Sequence, residues 1–192
     1  MTDANSKKNI SQVIAADLFR YGGVSGRKQF VKAWLLHPGF RYTYFLRKGA
    51  KHKPKSVFGR VYQLVCLYYS VKFGIQIPIP TQIGAGFYLG HFGNIIVNPN
   101  AVIGKNCNLA QGVTIGQANR GKRAGAPQIG DNVWIGPNAV IVGAVKIGSN
   151  VLIAPNSFVN FDVSDNSVVV TKQCDVISNE SATEGYINFT PS

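Results

Sequence analysis

The chain has 192 residues, enough for one full-sized domain with an appendage. Its net charge of +12 comes from the first 75 residues, which hold 14 Lys or Arg against 2 Asp, whereas the other 117 residues hold 6 cations and 6 acids. Three widely spaced cysteines without a Cys-x-x-Cys pair argue against a disulfide framework or a zinc cluster. The first 18 residues lack a long apolar block, so we expect no secretory leader and a cytoplasmic protein.

Apolar spacing in residues 1–74 predicts a basic, aromatic-rich helical region. Apolar residues recur at helical intervals, and Gly or Pro interrupts them, which indicates helices over about 6–20, 27–36, 40–49 and 56–73. The last of these is too short and too often interrupted, by Arg60, Gln63 and Lys72, to predict a membrane span.

Two interpretations of the basic helices stay open at this point. Aromatic residues at helical spacing usually pack in a core, which favours docking onto the rest of the chain. Cations between apolar residues are also typical of helices that lie on an anionic membrane, so peripheral membrane contact is a second hypothesis. No nucleic-acid-binding motif accompanies the charge, and we expect no nucleic-acid partner.

The remainder of the chain is organised by a repeat of six residues. A strict interval of six fits neither a helix nor an amphipathic strand, but it is typical of a parallel β-helix in which three units close one coil. Gly or Ala often follows the aliphatic residue, and a short side chain stands four places after it; Cys107 holds such a position and is predicted to be buried. The clearest aliphatic positions are Ile129, Ile135, Ile141, Ile147, Ile153 and Val159.

The same repeat runs upstream with two interruptions, a shift of two residues near 95–97 and a longer interval from 115 to 129. We therefore predict three parts: a helical region over 1–74, a β-helix over 75–178 with an extruded loop at 117–128, and a tail over 179–192. The loop contains Arg120, Lys122 and Arg123. It is either a mobile surface excursion or a flap whose cations bind phosphates.

His91 is the only histidine in the predicted coils. Leu89 and Leu109 are separated by one coil plus the two-residue shift, so His91 should neighbour Gln111, about 4.8 Å away along the stack. A lone histidine is more often structural than catalytic, but Gly90 and Gly93 leave the backbone around this one open to a substrate. A single histidine also excludes a three-histidine zinc site.

Several segments of the repeat region together resemble the serine acetyltransferase branch of the hexapeptide-repeat acyltransferases, over roughly residues 75–165. The resemblance implies a left-handed β-helix, an exception to the usual crossover rule. It implies a homotrimer with active sites between subunits, acetyl-CoA as donor, no metal, and His91 as general base. The matching segments are the Gly90-His91 motif before 95–97, then 98–104, 111–116 and the glycine-rich loop.

Three positions depart from that branch. Where serine acetyltransferases have an aspartate, an acidic residue before the catalytic histidine, and a second active-site histidine, this chain has Gln76, Gly90 and Ala126. An ammonium group without a carboxylate partner is costly to bury, so serine is not the expected acceptor. The family's closing Gly-x-Pro-Ala pattern is also absent at 171–175, which affects contacts to the far end of CoA. The chain is more similar to the sugar O-acetyltransferases of capsule, exopolysaccharide and lipopolysaccharide assembly.

The resemblance and the side-chain chemistry together predict roles for individual residues. The base is His91, and the neutral hydrogen-bonding groups expected to bind a sugar acceptor are Gln76, Asn94 and Gln111. Three alternatives stay open: N-acetylation of an amino nucleotide sugar, O-acetylation of serine, and a catalytically silent β-helix that recruits partners. The residues predicted to bind acetyl-CoA are Gly116, Arg120, Lys122, Arg123, Trp134 and Lys172.

Overall fold

A computed structural model describes residues 3–172, 175–178 and 180–183. The first part forms four helices, and local chemistry accounts for their ends. Ser56 accepts a hydrogen bond from the Gly59 backbone at the start of the fourth helix, and Gly74 ends it in the left-handed conformation. The predicted helices are confirmed, while most of the predicted tail lies outside the described residues. The helices are α1 (Asp3–Phe19), α2 (Arg27–Leu36), α3 (Pro38–Ala50) and α4 (Val57–Phe73).

From Ile75 onward the chain forms short strands that wind into three parallel sheets. One sheet has the order β1-β4-β7-β10-β13, the second β11-β8-β5-β2 and the third β14-β12-β9-β6-β3. Up to β13 each strand therefore stacks on the strand three before it, and β14 stacks on β12. This is the parallel β-helix that the repeat predicts. The strands are β1 (Ile75–Gln76), β2 (Gln82–Ile83), β3 (Tyr88–Leu89), β4 (Ile95–Val97), β5 (Val102–Ile103), β6 (Asn108–Leu109), β7 (Thr114–Gly116), β8 (Gln128–Ile129), β9 (Trp134–Ile135), β10 (Val140–Val142), β11 (Lys146–Ile147), β12 (Leu152–Ile153), β13 (Phe158–Val159) and β14 (Val168–Val169).

The repeated aliphatic side chains form the core. Ile135, Ile141 and Ile153 are fully buried, and the short side chains between the strands, such as Cys107 and Ala139, are buried with them. Burial of one such large aliphatic side chain contributes about 1.5–3 kcal/mol, and it requires a coil above or below. The coils therefore stabilise one another.

The strand pairing confirms the two interruptions in the repeat. Leu89 pairs with Leu109, as the sequence predicts, and the shift of two residues is accommodated in the first coil. The extruded loop covers 117–127, because Gln128 already pairs with Val102 and Lys146. An antiparallel bridge between Ala118 and Gly125 makes the loop a small hairpin.

The helices cover the open edge of the first coil, where no earlier coil can supply hydrogen-bond partners. The Tyr42 hydroxyl donates to the Ile77 carbonyl at 2.9 Å and accepts from its N–H at 3.1 Å. Arg47 donates to the carbonyls of Ile83 and Gly84, both at 2.6 Å. An uncovered strand edge would leave these backbone groups unpaired, so the helices complete the β-helix.

A buried ion pair connects α1 and α3 at this edge. Arg47 Nε lies 2.9 Å from Asp17 Oδ2, and Asp17 Oδ1 accepts the Phe87 N–H at 2.8 Å. Asp17 is 1% exposed. Removing the carboxylate would leave the Arg47 guanidinium buried without an anion.

No helix among the described residues combines the length and the apolarity needed to cross a bilayer.

We predict that Asp17→Ala lowers the free energy of unfolding by about 3–5 kcal/mol, because it leaves a buried charge without its partner. Urea denaturation followed by circular dichroism measures this. The exposed Asp175 provides the matched control, and Asp175→Ala should change stability by less than about 0.5 kcal/mol. Equal stability of the two variants would contradict a structural role for the ion pair.

Candidate active site

His91 lies on a cleft formed by three successive coils. The cleft has a volume of about 230 Å³ and is lined by Tyr88, Gly90, His91, residues 108–111, Trp134 and Pro137. The register explains the grouping, because Tyr88 pairs with Asn108 and Asn108 with Trp134, each beside a buried aliphatic residue. His91 follows β3 at the corner toward β4, and its imidazole is exposed on the single chain.

The cleft wall holds neutral polar groups. Gln111 lines it, and its Oε1 atom is buried without a hydrogen-bond partner among the described residues. Because this oxygen is shut off from solvent, the remainder of the Gln111 side-chain amide is the candidate contact for a substrate hydroxyl. No carboxylate belongs to the residues that line the cleft. The site can therefore bind an uncharged, hydroxyl-bearing molecule.

The absence of a side chain at Gly90 leaves room for the Tyr88 ring in the cleft. A Cβ atom at position 90 would lie 2.9 Å from Tyr88 Cε1, closer than van der Waals contact allows. Any side chain here requires the ring to move. Gly90 therefore stands against an aromatic wall.

The helices support the strand that leads to His91. The Tyr21 hydroxyl accepts the Leu89 N–H and donates to the Leu89 carbonyl, both at 3.2 Å, and burial raises the pKa of Tyr21. The Tyr21 and Tyr88 rings lie 4.6 Å apart. Gly39 packs so closely that a Cβ there would collide with the Leu89 carbonyl oxygen. These contacts fix β3 two residues before His91.

Arg20 is a cation beside the cleft that the sequence did not indicate. Its Nη2 atom donates to Asn108 Oδ1 and its Nη1 atom to the Asn106 carbonyl. The guanidinium therefore orients one polar side chain of the cleft wall. Tyr88 and Asn108 could have been found from the repeat register, because they share the position of Trp134. Arg20 and Tyr21 carry no such signal.

The predicted site residues do not all meet on one chain. His91, Gln111 and Trp134 line the same cleft. Gln76 instead lines a groove of about 510 Å³ between α4 and the first coil. Asn94 occupies a corner with φ of 50°, as do other asparagines at equivalent corners, so the turn itself accounts for this residue. Lys172 is exposed beyond β14, away from the residues of the cleft.

The extruded loop is docked on the next coil. The Arg123 carbonyl accepts the Ala144 N–H at 2.8 Å, and Arg123 Nη1 lies 3.0 Å from Asp162 Oδ1. The Lys146 N–H and the Arg123 guanidinium lower the pKa of Asp162, so the contact persists at neutral pH and is lost as the pH falls through that lowered value. At the base of the loop, the Gly116 carbonyl accepts the Gly143 N–H at 3.1 Å. Arg120 and Lys122 extend from the hairpin without an acidic partner among the described residues.

The cysteines of the described region are unsuited to covalent catalysis. Burial raises the pKa of Cys107 to about 11 and that of Cys66 to about 11, so both thiols stay protonated at neutral pH. The His, Cys, Asp and Glu side chains of the described residues form no group that could hold a metal ion.

The comparisons with known proteins agree with this architecture. A family model described as bacterial transferase hexapeptide (six repeats) matches residues 126–160. The chain is 33% identical over 155 residues to the WcaB protein of Escherichia coli K12, assigned as an acetyltransferase of colanic acid biosynthesis, and the match covers 75% of this chain and 93% of that protein.

Serine acetyltransferases share the fold. The Neisseria gonorrhoeae enzyme in complex with serine gives a TM-score of 0.73 at 30% identity, covering 88% of this chain and 70% of that one. Isoform 3 of Entamoeba histolytica, in complex with cysteine, gives 0.73 at 25% identity over 93% of this chain. This chain spans 64% of the Entamoeba enzyme, less than two thirds of its length.

The chain therefore belongs to the hexapeptide-repeat acyltransferases. Its relatives are acetyltransferases of two kinds, one assigned to a polysaccharide pathway and the other acting on serine.

We predict that Tyr21→Phe lowers the free energy of unfolding by about 1–3 kcal/mol, because both backbone groups of Leu89 lose a buried partner. Chemical denaturation measures the change, and amide hydrogen exchange should show reduced protection of Leu89. Tyr62→Phe is the matched control, since no hydrogen bond of the Tyr62 hydroxyl is found in the described part of the chain. Unaltered protection of Leu89 would contradict this support.

Proposed function

We propose that the protein is an acetyl-CoA-dependent O-acetyltransferase that modifies a sugar hydroxyl during assembly of a surface polysaccharide. It would act as a homotrimer of left-handed β-helices. The observation that carries the proposal is the neutral cleft around His91, where Gln111, Asn108 and Tyr88 provide hydrogen-bonding groups and no carboxylate is present. The relationship to WcaB supports a carbohydrate acceptor.

His91 supplies the base. Its imidazole nitrogen would take the proton of the acceptor hydroxyl as that oxygen attacks the thioester carbonyl, a role that typically contributes about 10²–10⁴-fold. Backbone N–H groups at the corner would stabilise the negative charge on the carbonyl oxygen. Gln111 would hold the acceptor through its side-chain amide, which lines the cleft. Acetyl-CoA supplies the acetyl group as a thioester.

The size and exposure of the cleft favour a site completed by a second subunit. Ligand pockets commonly hold about 300–1,000 Å³, and the cleft of a single chain is smaller. It accommodates the reacting groups but not a whole CoA molecule. An exposed His91 and a docked loop with two free cations fit a binding groove shared between neighbouring chains.

The cleft lacks the carboxylate that an amino-acid acceptor would need. A serine substrate brings an ammonium group. Burying even a neutral polar group without a hydrogen-bond partner costs on the order of 2–7 kcal/mol, and burying a charge without a carboxylate costs more. Gln76, Gly90 and Ala126 replace the ionisable groups that the serine branch has at these positions. The serine acetyltransferase relatives nevertheless make serine a second candidate. N-acetylation of an amino nucleotide sugar is the third.

We predict that His91→Ala loses acetyl transfer by about 10²–10⁴-fold because only the general base is removed. Thiol release from acetyl-CoA in the presence of acceptor measures this. His52→Ala is the matched control, because His52 stacks on Tyr62 in the helical region. Sedimentation equilibrium should give a trimer for both variants, and activity within a few-fold of wild type for His91→Ala would reject the assignment.

We predict that replacing Arg120 and Lys122 with Ala raises the KM for acetyl-CoA on the order of tenfold, because each cation can contact a phosphate. Lys53→Ala/Lys55→Ala removes two exposed cations elsewhere and should leave this KM unchanged. The single variants Arg123→Ala and Asp162→Asn distinguish two possible roles of Arg123, docking of the loop and binding of CoA. If Arg123 acts by docking the loop, both should have the same effect, whereas an effect of Arg123→Ala alone would assign it to CoA.

We predict that purified protein with acetyl-CoA does not acetylate free L-serine at a useful rate but acetylates a carbohydrate hydroxyl. Mass spectrometry of reactions with serine, amino nucleotide sugars and polysaccharide or lipid-linked fragments tests this. Efficient turnover of L-serine would overturn the sugar proposal. Acetylation of an amino sugar at nitrogen would favour the third candidate instead.

A further inference from the structure

One face of α4 is apolar and remains uncovered in the folded chain. Gly59, Cys66 and Phe73 point inward and are buried. On the opposite face, Val57 is 77% exposed and Val71 is 81% exposed. We call this face the α4 stripe; it consists of Val57, Val61, Leu64, Tyr68 and Val71, all of them exposed.

The spacing makes the α4 stripe one continuous surface. Its residues recur at intervals of three and four, so they align along the helix over about 21 Å at 1.5 Å per residue. Phe58 and Leu67, also exposed, widen it. Contiguous apolar surface of this kind normally marks a contact with another molecule or a membrane.

The charges around the α4 stripe are all positive. Arg60 and Lys72 flank it on opposite sides of the helix, and Lys72 Nζ lies 5.5 Å from the Tyr68 ring centroid. Lys53 and Lys55 are exposed immediately before α4. No Asp or Glu occurs from residue 18 to residue 130 of the sequence, so this surface lacks compensating acids.

This charge pattern decides between two possible occupants. A second copy of the chain, docked stripe to stripe, would bring like charges together around the apolar centre, which is destabilising. An anionic phospholipid surface takes up the apolar residues and attracts the cations at the same time. The helix is also too short to cross the bilayer, so it would lie on it.

We propose that the α4 stripe and its flanking cations bind the protein peripherally to an anionic phospholipid bilayer. The α4 helix lies in the interface, with Leu64 and Val71 inserted at the headgroup boundary and Arg60 and Lys72 among the phosphates.

The membrane-facing helix leads directly to the coil that carries His91. The Phe73 carbonyl at the end of α4 accepts the Gly93 N–H at 2.8 Å, and the Phe73 and Phe92 ring centroids lie 6.3 Å apart. An acceptor attached to a membrane lipid would therefore be held near the cleft. This last link rests on the proposed function, whereas membrane binding itself is measured without acetyl-CoA or acceptor.

The test is co-sedimentation of the full chain with vesicles of phosphatidylcholine alone or with about one third phosphatidylglycerol. We expect binding to the anionic vesicles, weakened as salt rises. Leu64→Gln/Val71→Gln should weaken it on the order of tenfold or more, and Lys53→Ala/Lys55→Ala should reduce it as well. Val168→Gln/Val170→Gln is the matched control, because these valines are 64% and 73% exposed at the far end of the β-helix.

Several results would overturn the proposal. One is the absence of binding to anionic vesicles, and another is equal binding to neutral ones. Equal affinity of the stripe variant and the Val168 control would also reject it. If Leu64→Gln/Val71→Gln instead changes the mass in sedimentation equilibrium, the stripe is a contact between copies of the chain. A variant that loses vesicle binding should still acetylate a soluble acceptor. Membrane binding by the α4 stripe and acetyl transfer at the cleft can therefore be rejected independently.

Discussion

The open edge of the first coil is the constraint on which the rest of the structure depends. A β-helix satisfies its backbone by stacking coils, and the first coil has no neighbour on one side. The helices supply the missing partners: Tyr42 binds both backbone groups of Ile77, Tyr21 binds both of Leu89, and Arg47 binds the turn after β2. Each of these residues is buried, so the edge is sealed from water and from other chains. Without the helices, the stack would begin with an exposed template for aggregation.

The same contacts connect stability to the site. Leu89 stands two residues before His91, and its backbone is held by Tyr21 while Gly39 packs against its carbonyl oxygen. A base must be positioned within hydrogen-bonding reach of its proton, so rigidity in this strand would support the proposed role of His91. The helical region is thus part of the scaffold that positions the candidate site. This also explains why aromatic residues are concentrated there, since the Tyr21 ring packs edge to face on Phe40 and at a tilt against Tyr88.

The sequence predicted the β-helix, the pairing of Leu89 with Leu109 and the proximity of His91 to Gln111, because a period of six encodes register directly. It could not predict Arg20 or Tyr21 as parts of the site wall, since those contacts join residues about 70 to 90 positions apart with no shared period. The sequence predicted one role, CoA binding, for all three loop cations, yet Arg123 pairs with Asp162 on a later coil. Helical spacing likewise identified an apolar α4 but not which of its faces the fold would cover.

The distribution of charge connects the proposed acceptor with the proposed membrane contact. Asp17 is paired with Arg47, and the other cations of the helices form no ion pair among the described residues. The cleft beside them is neutral. A charged metabolite would be bound most tightly by a cleft of the opposite charge, whereas a neutral metabolite gains little from a charged cleft. The proposed acceptor, a neutral sugar carried on an anionic lipid phosphate, would combine both features: the helices would attract the carrier, and the cleft would bind the hydroxyl. The separation of a cationic exterior from an uncharged cleft is what such an acceptor requires.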